Sequence, residues 1–480
     1  MIIKYGTSLL AATMLAGIAP AQAQQVGDVA AELAALRAQV EAQQAQVETL
    51  QARVAELEAA RDGSTSTASA PQAPQVQMAT MTTAQPQPQA QPQPPTATPG
   101  PEVRFRGAPT ITAPGGWSFK PRGRLQYDVA SVSSPEGISN PGLGFSNELR
   151  RARLGVEGTI PGGFGYVFEL DFADNRVEII DAILTYRASQ SVGFTVGQHN
   201  GFQSLEELTS SRFTTFMERA AFTDAFNFER RVGLSANLTS GDLLVQAGAF
   251  TDNITDLNED ADNAAGVDAR IVYAPEIGDT RLHLGASAHW RDNGDLASMV
   301  TTRYQQRPLV HSTDVRFIAT PALPVESETN FGFETAVIHG PFHATGEVHW
   351  LEADTTTPGL SPDFFGGYAE IGYFLTGETR GYRGGRWDRT SVRNPIGGDN
   401  GGFGAFQVNL RYDYLDLNSG TIVGGIQNGL ELSLVWIPTD YVQFLINYGH
   451  LIYDDAVIPA AGGDRDYSVD VIGARAQVDF

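Results

Sequence analysis

The 480-residue chain contains no cysteine, which excludes disulfides, thiolate metal sites and cysteine nucleophiles. Lysine is nearly missing as well, since it occurs only at Lys4 and Lys120. Almost all positive charge is therefore arginine, whose planar fork of donors suits oxyanions better than the point charge of lysine. A GC-rich genome, which favours arginine codons, would produce the same bias.

Long apolar runs are also lacking after the N-terminus. No later segment reaches the roughly 18 consecutive apolar residues that a membrane-spanning helix needs, so no such helix is expected. The net charge of −23 argues against nucleic-acid binding, which requires a basic face. The eight histidines show no metal-ligand spacing, and no nucleophile–base set is evident. We therefore expect neither an enzyme nor a bound metal or cofactor.

Residues 1–23 have the features of a signal peptide. Lys4 is followed by an apolar run over 9–19 and by the small-residue cleavage pattern Ala21-Gln22-Ala23. The alternative is a membrane anchor, but the run is too short to cross about 30 Å of hydrocarbon as a helix. We expect an exported protein whose mature chain begins at Gln24.

Residues 24–62 follow a heptad pattern. The a positions are Val26, Leu33, Val40, Val47 and Val54. The d positions are Val29, Leu36, Gln43, Leu50 and Leu57. A sustained 3.5-residue period predicts an α-helical coiled coil, and valine at a with leucine at d favours two parallel strands. Residues 63–116 are rich in Pro, Gln, Ser, Thr and Ala, which predicts a disordered linker.

From residue 117 to 480 the chain changes to short alternating runs separated by Gly, Pro, Asn and Asp. In the run over 166–172, Tyr166 and Phe168 share a face with Leu170, whereas Glu169 lies on the other face. A soluble sandwich also alternates, but strands of about 10 residues with full charges on the polar face are typical of membrane barrels. We predict an all-β protein, a transmembrane antiparallel β-barrel of about 16 strands with an aqueous channel.

Such a channel acts through the side chains that face its lumen. Strand parity places charged side chains on the inner face, among them Arg122, Arg124, Asp128, Arg151, Arg153 and Asp181. Arg150 falls on the lipid side by the same parity, unless it lies above the membrane edge or at a β-bulge.

The segment over 200–230 is too long for a simple turn between strands. Ser204 followed by Glu207 is a capping-box pattern, which predicts a short helix. Long loops with their own structure are usually functional, so we expect this one to fold into the lumen and narrow it. An external loop is the alternative.

Several motifs resemble the phosphate-selective porin family, the O/P porins. They lie at 119–126, 149–153, 197–211, 216–219, 375–380 and 475–480. The resemblance implies a 16-stranded trimeric outer-membrane barrel with an in-folded constriction loop. It also implies passage of anions through an eyelet of arginines, lysine, serines and an aspartate.

By that resemblance, Arg124, Arg150 and Arg151 match the eyelet arginines, and Asp181 matches the aspartate that would orient them. Ser210 and Ser211 match the serines of the constriction loop, and Arg219 is a further pore-lining candidate. Glu207 falls where phosphate-selective members place a lysine. A carboxylate there either repels an oxyanion or pairs with an arginine and neutralises it.

The expected function is passive diffusion of small hydrophilic solutes, with anions such as phosphate preferred. A general or cation-leaning porin is the alternative favoured by Glu207, and an envelope tether built on the coiled coil is another. Expected partners are two further copies of the chain, outer-membrane lipid, the assembly machinery acting through Phe480, and a periplasmic or cell-wall contact of the coiled coil. Nucleic acid is not expected as a partner. The location implied is the bacterial outer membrane, with the coiled coil in the periplasm.

Overall fold

The computed structural model describes residues 100–257, 264–294, 301–398 and 401–480. The predicted signal peptide and coiled coil, and most of the predicted linker, lie outside these ranges.

The described residues consist mainly of β-strands. In chain order the strands are β1 (Glu102–Arg106), β2 (Ala108–Ala113), β3 (Trp117–Val132), β4 (Gly144–Ile160), β5 (Phe164–Asp171), β6 (Glu178–Arg187), β7 (Val192–Asn200), β8 (Arg230–Ser240), β9 (Leu243–Phe250), β10 (Ala265–Tyr273), β11 (Glu276–Ile277), β12 (Thr280–Asp292), β13 (Gln305–Gln306), β14 (Ile318–Ala319), β15 (Val325–His339), β16 (Phe342–Thr355), β17 (Asp363–Phe374), β18 (Gly381–Arg383), β19 (Arg386–Asp388), β20 (Ala405–Ser419), β21 (Ile422–Thr439), β22 (Val442–Asp454) and β23 (Tyr467–Asp479). The helical elements are α1 (Leu205–Leu208), α2 (Ala221–Ala225) and the 3-10 turns Ala173–Asn175 and Ala461–Gly463.

Sixteen of these strands form a closed antiparallel barrel: β3–β10, β12, β15–β17 and β20–β23. Each pairs with the next along the chain, and β23 closes the ring against β3, in a register that runs from Asp479↔Arg124 to Val471↔Val132. The predicted 16-stranded β-barrel is confirmed.

The alternation of side chains is inverted relative to a soluble protein. On β21, Leu430 and Leu432 are each 53% exposed on the outer surface, whereas Glu431 between them is 2% exposed inside the barrel. A closed ring of strands pairs its backbone groups between neighbours and leaves no free edge, as lipid requires. Within the described ranges, no helix is both long and apolar enough to cross a bilayer.

The two ends of the barrel differ in their connections. At one end the strands are joined by short turns, for example 161–163, 241–242 and 440–441. At the other end, longer segments such as 201–229 and 293–324 connect them. Bacterial outer-membrane barrels have their short turns in the periplasm, so the long connections correspond to the external side.

The connection over 375–404 is an exception, because it is long but leaves from the short-turn end. It carries the β18–β19 hairpin, whose Trp387 side chain is fully buried. The backbone N–H of Trp387 donates to the Thr209 hydroxyl at 3.3 Å, so this hairpin reaches back to the segment over 201–229.

The prediction that the linker is disordered as far as residue 116 is wrong for its last part. There β1 and β2 form a hairpin, and β2 pairs with the start of β3. Val103 and Phe105 alternate with polar residues, which favours a strand. Gly107 supplies the turn at a φ of 77°, where a side chain would be strained and would collide with the Tyr441 ring.

Candidate functional site

The segment over 201–229 lies inside the barrel, and its first helix is held by a wall carboxylate. Glu347 on β16 accepts hydrogen bonds at 2.8 Å from the Ser204 hydroxyl and from the backbone N–H groups of Leu205 and Glu206. Ser204 itself accepts from the Glu207 N–H at 3.1 Å, as the capping pattern predicts. The free N–H groups of α1 therefore have partners although they are buried.

The remainder of the segment is held in the same manner. The Ala221 N–H, at the start of α2, donates to Asp413 at 2.9 Å, and the Met217 N–H donates to Asn447 at 2.7 Å. The Thr215 hydroxyl donates to Glu370 at 2.7 Å. The segment is thus fixed to the inner wall at β16, β17, β20 and β22.

Arg411 on β20 is the centre of this attachment. Its guanidinium donates to Glu206 of the segment at 2.9 Å and to Glu370 of the wall at 2.8 Å. The same group lies over the Phe216 ring, 4.2 Å from the ring centroid. Charge-assisted bonds and a cation–π contact therefore join the segment to the wall away from water.

Between the in-folded segment and the opposite wall lies a cavity of about 1180 Å³. The residues that sequence analysis selected all line it: Arg122, Arg124, Arg150, Arg151, Arg153, Asp181, Glu207, Ser210, Ser211 and Arg219. The structure thus brings together residues from β3, β4, β6 and the in-folded segment.

Arg150 reaches the interior through a β-bulge. Gln126 pairs with Arg151 and Tyr127 pairs with Leu149, so Arg150 is left over between them. Parity had placed Arg150 on the lipid side unless it lay above the membrane edge or at a bulge, and the structure shows the bulge. Its guanidinium makes two hydrogen bonds to Glu218, at 2.9 and 3.0 Å.

Glu218 is shared between two arginines, because it also accepts from Arg475 at 2.9 Å. Arg475 in turn donates to both oxygens of Asp128, at 2.7 and 2.6 Å. Burial alone would raise the pKa of Glu218, but Arg150 and Arg475 hold that pKa well below its usual range. The charge of Arg150 is thus matched by a carboxylate.

Arg124 and Arg151 are less completely paired. Arg124 donates to the Ser211 hydroxyl at 2.5 Å, and its nearest carboxylate, Glu169, is 3.7 Å away. Arg151 donates to the Gln126 side chain at 2.9 Å, and in the described part of the chain no carboxylate oxygen lies within 4.0 Å of it. Both arginines are 6% exposed, and their Nε atoms have no hydrogen-bond partner among the described residues.

Glu169 is a site residue that sequence reasoning did not select. It lies 2.9 Å from Arg122 and 3.5 Å from Arg153, so it balances part of the arginine row. Parity had already placed Glu169 on the inner face of β5. That placement was the only sequence signal for its role. Its arginine partners lie on other strands, and parity within one strand does not identify them.

Asp181 does not orient Arg124, Arg150 or Arg151 by direct pairing. Its ion-pair partner is Arg230, at 2.9 Å. Arg230 begins β8, directly after the in-folded segment, and was not among the predicted residues. The hypothesis about the role of Asp181 is therefore corrected to a pairing with Arg230.

Glu207 forms an ion pair with Arg219 of the same segment, at 3.4 Å. Arg219 also donates to the backbone carbonyls of Glu206, Glu207 and Thr209, at 2.9, 3.1 and 2.8 Å. Arg219 therefore ties the segment together. Burial raises the pKa of the Glu207 carboxyl, and Arg219 opposes that shift.

Among the described residues, no group of three or more His, Asp or Glu side chains is arranged to hold a metal ion. The arrangement is instead that of a polar passage with a basic wall.

The family model for phosphate-selective porin O and P matches residues 119–480, which is most of the chain. The chain belongs to this family. Together with the closed barrel, this makes it an outer-membrane porin, a channel protein.

Two relatives illustrate the range of similarity. An uncharacterized protein of Caulobacter vibrioides is 50% identical over 387 residues, covering 79% of this chain and 77% of that protein. Porin O of Pseudomonas aeruginosa is 28% identical over 339 residues, covering 64% of this chain and 74% of that protein.

Among solved structures, OmpT of Vibrio cholerae aligns at a TM-score of 0.49 and 13% identity, covering 77% of this porin and 100% of that chain. An anion-selective porin from Comamonas acidovorans aligns at 0.48 and 12%, covering 76% and 100%.

Proposed function

We propose that this porin lets small hydrophilic solutes diffuse through the cavity beside the in-folded segment, with anions preferred over cations. The observation that carries the proposal is Arg151, a buried, cavity-lining guanidinium with no carboxylate within 4.0 Å in the described part of the chain. A cation held in this way attracts anions strongly, because the surrounding protein has a low dielectric constant.

Arg151 is one end of a row of guanidinium groups that follows β3 and β4. Arg151 is paired in register with Gln126, Arg153 with Arg124, and Gly155 with Arg122. Successive positions on one face of a strand are about 7 Å apart, so a permeating anion meets a new arginine at each step. Charge-assisted hydrogen bonds would replace part of its hydration shell.

Release is as important as binding, because conduction requires that the anion leave each position. Glu169 shares its carboxylate between Arg122 and Arg153 and so weakens their hold on a passing anion. Asp181 has the same effect on Arg230. The hydroxyls of Ser210 and Ser211 line the cavity beside the row and offer adaptable hydrogen bonds.

Phosphate belongs to the preferred anions in this proposal, and membership of the family supports it. Glu207 weighs against a strong preference for phosphate, since a carboxylate replaces the lysine of the phosphate-selective members. Its pairing with Arg219 reduces that effect.

The proposal also covers the oligomeric state of the channel and its location. A homotrimer in outer-membrane lipid, recognised by the assembly machinery through Phe480, is what family membership supports. The proposal also has the N-terminal coiled coil in the periplasm, and the start of β3 at the short-turn end of the barrel supports this. Its contact with the cell wall would add a tethering role to the channel.

A general or cation-leaning porin is the second candidate. It is favoured by the carboxylates that share the cavity with the arginines, among them Glu157, Glu169, Asp181 and Glu207.

Reversal potentials of single channels in a potassium chloride gradient distinguish the two candidates. Anion preference is expected for the wild type, and Arg151→Gln should reduce it. Arg281→Gln is the matched control, because Arg281 pairs with Glu276 near the short-turn end and does not line the cavity. Cation preference of the wild type would reject the proposal.

A further inference from the structure

Part of one register row on the inner wall of the barrel has no polar side chain. It runs across five consecutive strands, through the pairs Val167↔Ile183, Ile183↔Gly197, Gly197↔Gly233 and Gly233↔Phe250. Inner positions of a water-filled barrel are normally polar, so an uninterrupted apolar row across β5–β9 needs an explanation.

The row faces the lumen rather than the lipid. Val167 and Ile183 line the cavity, and the alternate residue Phe168 is exposed on the outer surface. The Phe250 ring lies over Gly233, where an added Cβ would come within 2.5 Å of it. The glycine thus leaves room for the ring inside the barrel.

The apolar surface continues onto the in-folded segment. The Phe202 ring packs against Phe250 with centroids 6.1 Å apart, and Phe202 itself lines the cavity. The cavity therefore has an apolar surface formed by Val167, Ile183 and Phe202.

This surface lies next to the arginine row. Val167 is paired with Glu157, which is paired with Lys120 on β3. The pair Glu169↔Asp181 is one inner position further from the short-turn end, about 7 Å along the strands. Arg122 and Arg124 both contact Glu169, so a solute bound to them has charge on one side and aliphatic surface about 7 Å away, which is within the length of a small organic molecule.

Inorganic anions gain nothing from such a surface, since they are fully hydrated and the aliphatic groups offer no hydrogen bond. An organic anion gains the free energy of removing its apolar part and the wall from water.

We propose that this channel favours monovalent organic anions that carry an aromatic or branched aliphatic group, such as aromatic carboxylates, over inorganic phosphate. The carboxylate lies at Arg122 and Arg124, which both contact Glu169, while the apolar group passes along Val167 and Ile183. This inference rests on the proposed anion channel and names the solute class of the same site.

The test measures block of chloride current through single channels by benzoate, acetate and inorganic phosphate. In the wild type, benzoate should half-block at a concentration about tenfold or more below that of acetate or phosphate, as burial of an aromatic ring predicts. The double variant V167T/I183T keeps β-branched side chains but adds hydroxyls. It should raise the half-blocking concentration of benzoate about three- to tenfold and leave that of acetate unchanged.

Thr185→Val is the reciprocal variant. Thr185 lines the cavity one inner position below Ile183 and pairs with Thr195, so the change extends the apolar row without altering volume. It should lower the half-blocking concentration of benzoate. This variant and the wild-type comparison keep the test decisive if V167T/I183T fails to fold.

The possible outcomes distinguish the organic-anion inference from the proposed anion channel on which it rests. An anion-selective wild type that responds equally to benzoate and acetate would overturn the organic-anion inference and leave the anion channel intact. A cation-selective wild type would overturn both.

Discussion

Arg150 and Glu218 form a two-bonded ion pair, with the Nε–Oε1 and Nη2–Oε2 distances at 2.9 and 3.0 Å. The pair joins a bulge on β4 to the in-folded segment, 68 residues later in the chain. It thereby fixes one edge of the cavity and removes one arginine from the set that is free to bind anions.

Glu218→Gln should increase anion selectivity. It leaves Arg150 without its carboxylate, so one more uncompensated positive charge faces the cavity. The reversal potential in a salt gradient is expected to move toward the chloride equilibrium potential. The double variant R150Q/E218Q removes both charges and should return the value close to wild type. A single variant no different from the wild type would show that this pair does not influence permeation.

Glu207→Lys restores the residue type of the phosphate-selective members and should strengthen block by phosphate. The change replaces a negative charge by a positive one beside the arginine row, and the half-blocking phosphate concentration should fall about tenfold, equivalent to about 1.4 kcal/mol. Glu207→Gln, which only removes the charge, should give an intermediate value. Equal values for all three proteins would contradict a role of position 207 in anion binding.

The selectivity of the wild type should depend on pH through Glu207. Burial raises the pKa of this carboxyl, so it takes up a proton at a higher pH than an exposed glutamate does. Protonation removes a negative charge, and anion selectivity should therefore increase as the pH falls through that raised pKa. Reversal potentials measured from neutral to acidic pH test this expectation, and Glu207→Gln should remove this step. A step that persists in Glu207→Gln belongs to another group.

Glu347→Ala should loosen the in-folded segment while the barrel stays closed. The variant leaves the N–H groups of Leu205 and Glu206 buried without an acceptor, at a cost of about 1–3 kcal/mol each. We expect larger fluctuations of the open-channel current. Glu352→Ala is the matched control on the same strand, since Glu352 is exposed on the outer side. Equal current noise in both variants would show that Glu347 does not hold the segment.

Gly123→Ala should weaken the seam of the barrel. A Cβ at Gly123 would come within 2.3 Å of the Phe480 ring, whereas Gly346, the control, has no neighbour nearer than 3.6 Å. Overpacking of this kind costs about 1–3 kcal/mol. The temperature at which the folded barrel is lost, followed by heat-dependent gel mobility, should fall for Gly123→Ala and stay near wild type for Gly346→Ala.

Strand parity predicted the barrel and the inner face of Arg124, Arg151 and Arg153, because a period of two residues is visible in any single strand. It could not predict that Asp181 pairs with Arg230 rather than with Arg124. Ion-pair partners depend on the position of each side chain along its strand and on how the barrel closes. Parity carries no information about either. The capping pattern at Ser204 predicted the start of a helix. It could not predict that Glu347, 143 residues later in the chain, also accepts hydrogen bonds from this helix start.

The connection over 375–404, which carries the β18–β19 hairpin, was not predicted either. Only its residues 375–380 were noted, as part of the family resemblance. Trp387 gives no periodic signal, since a single aromatic residue in a connection indicates burial but not its location.

Ring closure has a consequence for biosynthesis. Asp128 on the first barrel strand is neutralised by Arg475 on the last one, and Gly123 exchanges backbone hydrogen bonds with Phe480. The basic wall on β3 therefore acquires its final neighbours only when the last residues of the chain are present. A chain that ends early lacks this half of the seam, so premature termination should yield no partly working channel and should leave an open sheet edge for quality-control proteases to degrade.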